Sequence, residues 1–249
     1  MTQDFAPDQG RNRPAEYAAR SWNGDRATRF YPRAAAFAIA VALAGFFLTY
    51  LRPMALGRFD GPAMSHLHGA LLFSWLLLVM VQSLRLRSHR KLGWIALALA
   101  LAIAASTMAI GVEATRRDLA NGIVTGMAGN VTAPLVFCGL VGAAIWLRGQ
   151  PQWHKRLILI ATVVMLWPAW FRWRHFLPWM PRPDVSLGLI VANLPIAIAM
   201  LRDRLRFGAV HPAYWLVGVP VFLWQAFEVA AFGSPGWTAF GMWLYRLMA

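Results

Sequence analysis

The sequence predicts an all-α, polytopic membrane bundle of about seven transmembrane helices with a cytoplasmic N-terminus. Three observations carry this. Apolar residues make up 59% of the chain and charged residues only 14%, against about 45–50% and about 25% in soluble domains. The apolar residues fall in unbroken runs without strand-like alternation, and such runs satisfy their backbone in lipid only as helices. The charges, with a net of +14, fall almost entirely between those runs, so they point to membrane lipid as the partner rather than nucleic acid.

Residues 1–32 are polar and Arg-rich and read as a disordered basic tail. The first apolar run starts too late and runs too long for a cleavable signal peptide. Seven spans are expected within residues 33–232: Ala34–Leu51, Leu67–Leu84, Leu92–Val112, Met127–Leu147, Leu157–Phe171, Val185–Leu201 and Ala213–Phe232. The fifth is short and contains Pro168, which predicts a tilt, a kink or an end in the interface. Residues 233–249 place Trp237, Phe240, Leu244 and Leu247 at helical spacing and read as an interfacial amphipathic helix too short to cross.

Orientation follows from the basic residues. With the N-terminus inside, 16 of the 24 Lys and Arg lie in inner segments and eight in outer ones, the positive-inside arrangement of a multi-pass protein of a bacterial inner membrane. Trp167, Trp170, Trp173 and Trp179 then gather at the outer end of the fifth span, at headgroup level. The lone Cys138 lies in an apolar run, so no intrachain disulfide forms.

Candidate binding residues lie at both faces. His66 and His68 open the second span on the outer side. Two residues apart on a helix point about 200° away from one another, so the pair cannot serve one ligand from one face. Outer partners on offer are Asp60, Glu113, Asp118, His175 and Glu228. Glu228 sits inside an apolar run, where an ionisable residue is a functional candidate; its ordinary role would be to pair with an Arg such as Arg172 or to reach headgroup water. The inner face offers His89, His154 and His211, each beside positive charge. Imidazole is the commonest protein ligand for haem iron, while basic loops with histidine also serve anionic headgroups without any cofactor. His66 and His89 are 23 residues apart, roughly 34 Å along a helix at ~1.5 Å per residue. One metal centre cannot use both, so a ligand reading needs two sites or must choose one face; two b haems, one near each face, would form an electron path between a quinone or other redox partner and the outside.

Each inner loop opens with an Arg and closes with a His: Arg85 to His89, Arg148 to His154 and Arg202 to His211. HRKLGWIA from His89 and HKRLILIA from His154 match further, as duplicated helix hairpins would. Pro134 with Asn130, and Pro195 with Asn193, mark places where local backbone opens, as in transporters. The chain has no phosphate-cradling Gly loop, no HExxH helix and no Cys cluster.

The succession HLHG (66–69), HRKLGW (89–94), HKRLIL (154–159) and His211-Pro212 resembles a family of uncharacterised bacterial multi-pass membrane proteins. Its members read HxHG, LHRRLGW, HKRLM and a final His-Pro; the resemblance covers about residues 34–232 and implies no activity. It is more loosely similar to transmembrane cytochromes b, in which a His opening a helix as H-R-x-L-G ligates haem. Only His89 matches that pattern, and the His partners deep in facing helices are missing. Three functional expectations follow: a haem- or metal-binding electron-transfer protein, a non-catalytic assembly or lipid-binding protein, and a small proton-coupled transporter using Glu228.

Overall fold

The computed structural model describes residues 29–84, 89–121 and 126–249, with the side chains of residues 89–92 excepted. Seven helices among them are long and apolar enough to cross a bilayer: α1 Phe30–Ala55, α2 Ala63–Leu84, α3 His89–Ala120, α4 Met127–Gly149, α5 Pro151–His175, α6 Asp184–Phe207 and α7 Tyr214–Ala231. An eighth, α8 Pro235–Met248, follows. The chain is an all-α multi-pass membrane protein. The near face of the bundle is the end where α1 begins, and the far face is the end where α1 finishes. Helix α1 starts four residues earlier than the apolar run, at Phe30; most of the expected tail and Arg85 and Arg87 lie outside the described residues.

The fifth span is the centre of the bundle. In its most apolar window 61% of residues are buried, against 39% or fewer in the other six. It packs on α1, α4, α6 and α7, and α1 to α5 otherwise follow one another as neighbours. Its modest apolarity comes from this position, because a helix surrounded by protein can carry polar residues that a lipid-facing helix cannot. Buried Leu157, Ile160, Ala161, Val163 and Val164 share it with Arg156 and Thr162. Thr162 donates to the Ile158 carbonyl at 2.8 Å and accepts the Trp75 indole N–H at 3.3 Å. Trp75 stacks edge-on against Phe137, with centroids 4.8 Å apart.

Pro168 breaks α5 at Leu166 without ending the span; a second segment, Trp167–Arg172, continues to the far face. There α1 comes very close. A Cβ on Gly45 would lie 2.3 Å from the Ala169 carbonyl oxygen, so only glycine admits this crossing.

Three spans contain π-helical turns: Phe47–Leu51, Asp184–Val191 and Tyr214–Gly218. Each lies just ahead of a proline, Pro53, Pro195 and Pro220. Proline lacks the N–H that would close on the carbonyl four residues back and its ring crowds that carbonyl, so the preceding turn widens. Helix α6 stops at Gly208, whose φ of +76° favours glycine.

The C-terminal helix begins at Ser234, whose hydroxyl caps the Trp237 N–H at 3.3 Å. It runs back along α3 and α4. A Cβ on Gly241 would meet the Ala128 nitrogen at 3.3 Å, and Met248 lies beside Ala105, Met108, Ala109 and Val112.

Candidate functional site

The near face is built on a buried ion pair that the sequence alone does not single out. Arg156, on the second turn of α5, donates from Nε (2.9 Å) and Nη2 (2.6 Å) to Asp203 Oδ2 on α6, and both side chains are fully buried. Its Nη1 donates to Gln152 O and Oε1 at 2.9 and 2.8 Å. Arg202 Nη1 reaches the other Asp203 oxygen at 3.1 Å, and the Arg156 guanidinium lies 5.7 Å over the Tyr214 ring of α7. Lys155 and Arg202 stack on Tyr31 and Phe30 at the start of α1. Arginine suits this place because its fork meets carboxylate and amide acceptors at once.

The near-face histidines take part in this structure. His154 donates Nδ1–H to the Ala144 carbonyl at 2.7 Å, joining α5 to α4. His211 is buried; its Nδ1 accepts the Ala213 N–H at 3.1 Å and its ring meets Trp153 edge-on at 5.2 Å. The His89 side chain lies outside the described residues. Among the described residues no three or more His, Cys, Asp or Glu are placed to share a metal ion.

Burial, joined by the charges of Arg156 and Lys155, holds the His211 imidazole far below its ordinary 6.5, at about 3.

At the far face the helical period separates His66 and His68 as expected. His66 Nδ1 bonds the Tyr50 hydroxyl of α1 at 2.8 Å within a ring cluster including Phe59. His68 turns to α3 instead, with Nδ1 3.0 Å from Ser106 Oγ. The Ser106 hydroxyl donates to Ile103 O at 2.9 Å, so Oγ accepts Nδ1–H, and the second nitrogen, Nε2, carries the lone pair.

Arg172 does not pair with Glu228. It lies 4.4 Å over the Phe46 ring and donates to Pro168 O at 3.0 Å. Arg174 lies 4.0 Å over Phe171, donates to Phe171 O at 3.0 Å, and is close enough for the two guanidiniums to repel. Neither has a carboxylate partner among the described residues. The next residues, His175 and Phe176, lead to an open apolar groove of about 580 Å³ lined by Ala40, Leu43, Ala44, Phe47, Leu51 and Phe176. Glu113 pairs with Arg116 at 3.5 Å on the exposed side of α3, while Glu228 receives a hydrogen bond from Thr132 of α4. Deeper on α6 and α7, Asn193 Nδ2 donates to Gln225 Oε1 at 2.9 Å and to Leu189 O at 2.8 Å.

Asp203 is the buried partner that pattern reasoning passes over. In the sequence it stands out only as the one acid in the run RDRLRF at the near end of α6; the structure sets it against the Arg of HKRL. No family model matches the chain, and neither does any curated protein or solved structure.

Two outcomes are expected. Asp203→Ala leaves Arg156 charged and buried, lowering stability in detergent by about 3–5 kcal/mol, whereas Arg156→Met with Asp203→Leu recovers most of it; thermal unfolding followed by circular dichroism reads both. For His211, the unfolded chain binds a proton below about pH 6.5 that the folded chain refuses until about pH 3. Stability is therefore complete above that window and falls as pH drops through it. The fall in unfolding temperature from about pH 7 to about pH 4 is shallower in His211→Gln; equal slopes would remove His211 as its source.

Proposed function

We propose that this integral membrane protein is a lipid-binding protein that holds an anionic phospholipid at its far face. The supporting observation is the pair Arg172 and Arg174, beside an apolar groove and without carboxylate partners among the described residues. Unpaired guanidiniums at headgroup depth retain free N–H donors for phosphate oxygens. Stacking on Phe46 and Phe171 fixes them in place and lowers the ordering cost of binding. The groove along α1, open to the bilayer, takes an acyl chain. Each arginine is worth about 1 kcal/mol toward an anionic headgroup, or roughly fivefold in affinity. Native mass spectrometry of the delipidated protein with added phosphatidylglycerol or phosphatidylcholine tests this. Wild type should retain the anionic lipid preferentially, and the Arg172→Gln, Arg174→Gln double variant should lose roughly 25-fold in that preference. An unchanged preference would overturn the reading.

A second reading, a haem- or metal-binding electron-transfer protein, is favoured by His68. An imidazole whose Nδ1–H is fixed by a hydroxyl presents Nε2 as a ligand, the usual orientation of metal-bound histidine. Arg172 would face a haem propionate, and the bound group would supply one-electron chemistry with a quinone. The fit is partial: neither the groove along α1 nor the recess beside Met248 is bordered by a histidine. Protein expressed with haem supplementation should show a reduced-minus-oxidised Soret difference that His68→Ala abolishes. A flat spectrum in the wild type sinks this reading and leaves the first untouched.

A further inference from the structure

We propose that Glu228 and Thr132 form a reversible proton-binding site between α7 and α4 near the far face, independent of the lipid reading. Thr132 Oγ1 stands between two acceptors. It is within hydrogen-bonding contact of Glu228 Oε1 and 3.0 Å from the carbonyl of Ala128, one turn back on α4. A hydroxyl has one hydrogen and two lone pairs, so it cannot donate to both oxygens at once.

Two arrangements resolve this, and they differ by one proton. With Glu228 ionised, Thr132 donates to the carboxylate. With Glu228 protonated, the carboxyl O–H donates to Thr132 Oγ1, and the threonine hydrogen swings to the Ala128 carbonyl. Each form keeps the central contact and leaves no buried donor without an acceptor. The step adds one proton from the aqueous phase at the far face, forming one carboxyl O–H bond and transferring no electrons. Rotation of one hydroxyl accompanies it.

The surroundings leave this switch to the two residues. From α4 the carboxyl meets Thr132. On α6, Asn193 is engaged with Gln225 and Asp184 is paired with Arg182 at 2.9 Å. Glu113 on α3 is engaged with Arg116. Helix α8 meets α7 through Trp237, packed on Trp224 and Phe227, and carries Tyr245 and Arg246 further on. None of these charged groups acts on the Glu228 carboxyl. Glu228 is three residues from the end of α7 at Ala231, and half-buried, so it lies within reach of far-face water while remaining in the span. The responding carbonyl, Ala128, belongs to the first turn of α4, where Gly241 of α8 packs.

The test is infrared difference spectroscopy of the full chain in lipid nanodiscs, titrated from neutral to acidic pH. Wild type should show a protonated-carboxyl C=O band from a hydrogen-bonded acid that is missing in Glu228→Gln. In Thr132→Val the band should remain but move to higher frequency, because the acid has lost its hydroxyl partner. Thermal unfolding confirms that each variant is folded; should Glu228→Gln not fold, the Thr132→Val shift decides alone. A wild-type carboxyl spectrum identical to that of folded Glu228→Gln, or an unmoved band in Thr132→Val, would overturn the site.

Discussion

The bundle depends on the Arg156–Asp203 ion pair. Two full charges removed from water inside a helical protein are costly, and their attraction offsets that cost only when the remaining donors and lone pairs are satisfied as well. Here Gln152 takes the second arm of the guanidinium and Arg202 the second carboxylate oxygen. The pair therefore fixes α5 against α6 in one register, and Tyr214 brings α7 onto the same guanidinium. Because α5 is also the helix on which α1 and α4 pack, an arrangement set at this point is passed to most of the bundle.

The two faces resolve charge in opposite ways. At the near face a cation meets a carboxylate and both disappear from solvent. At the far face Arg172 and Arg174 meet aromatic rings and backbone carbonyls, which hold the guanidinium plane without neutralising it. Aromatic stacking leaves a guanidinium its charge and part of its hydrogen-bonding edge. The near-face cluster thus behaves as architecture, whereas the far-face cluster keeps the charge that the proposed anionic headgroup would meet. The apolar groove beside Phe176 makes a lipid a better match than a soluble ion.

The seven spans are legible in the sequence because each depends on a local property, a run of apolar residues long enough to cross. Opposed directions for His66 and His68 are legible for the same reason, since helical period alone separates them. Pro168 signals a break in α5, and a break is present, but the shortness of the apolar run is misleading. The near half of α5 is polar because it is surrounded by protein, and a hydropathy run ends where Arg156 begins. Arg156 itself reads as one more member of a basic, topology-setting cluster; only its partner 47 residues later shows that it is buried. The Glu228–Thr132 contact spans 96 residues, and nothing local to either residue selects the other.

Three hydroxyls of the bundle, Thr162, Ser106 and Thr132, share one device, a side chain that bonds its own helix and a neighbour at once, yet they do not share its consequence. Thr162 faces an indole N–H, which can only donate, so its own hydrogen goes to Ile158 O in every state. Ser106 faces an imidazole, where exchanging which nitrogen carries hydrogen leaves the number of bound protons unchanged. Thr132 faces a carboxyl, which accepts when ionised and donates when protonated. Reversing the direction of that hydrogen bond requires the uptake or loss of a proton. Protonation of His68 at Nε2 leaves its Nδ1–H donating to Ser106 as before, so of these three hydroxyl contacts the one between α4 and α7 is the one whose hydrogen-bond direction is tied to proton uptake.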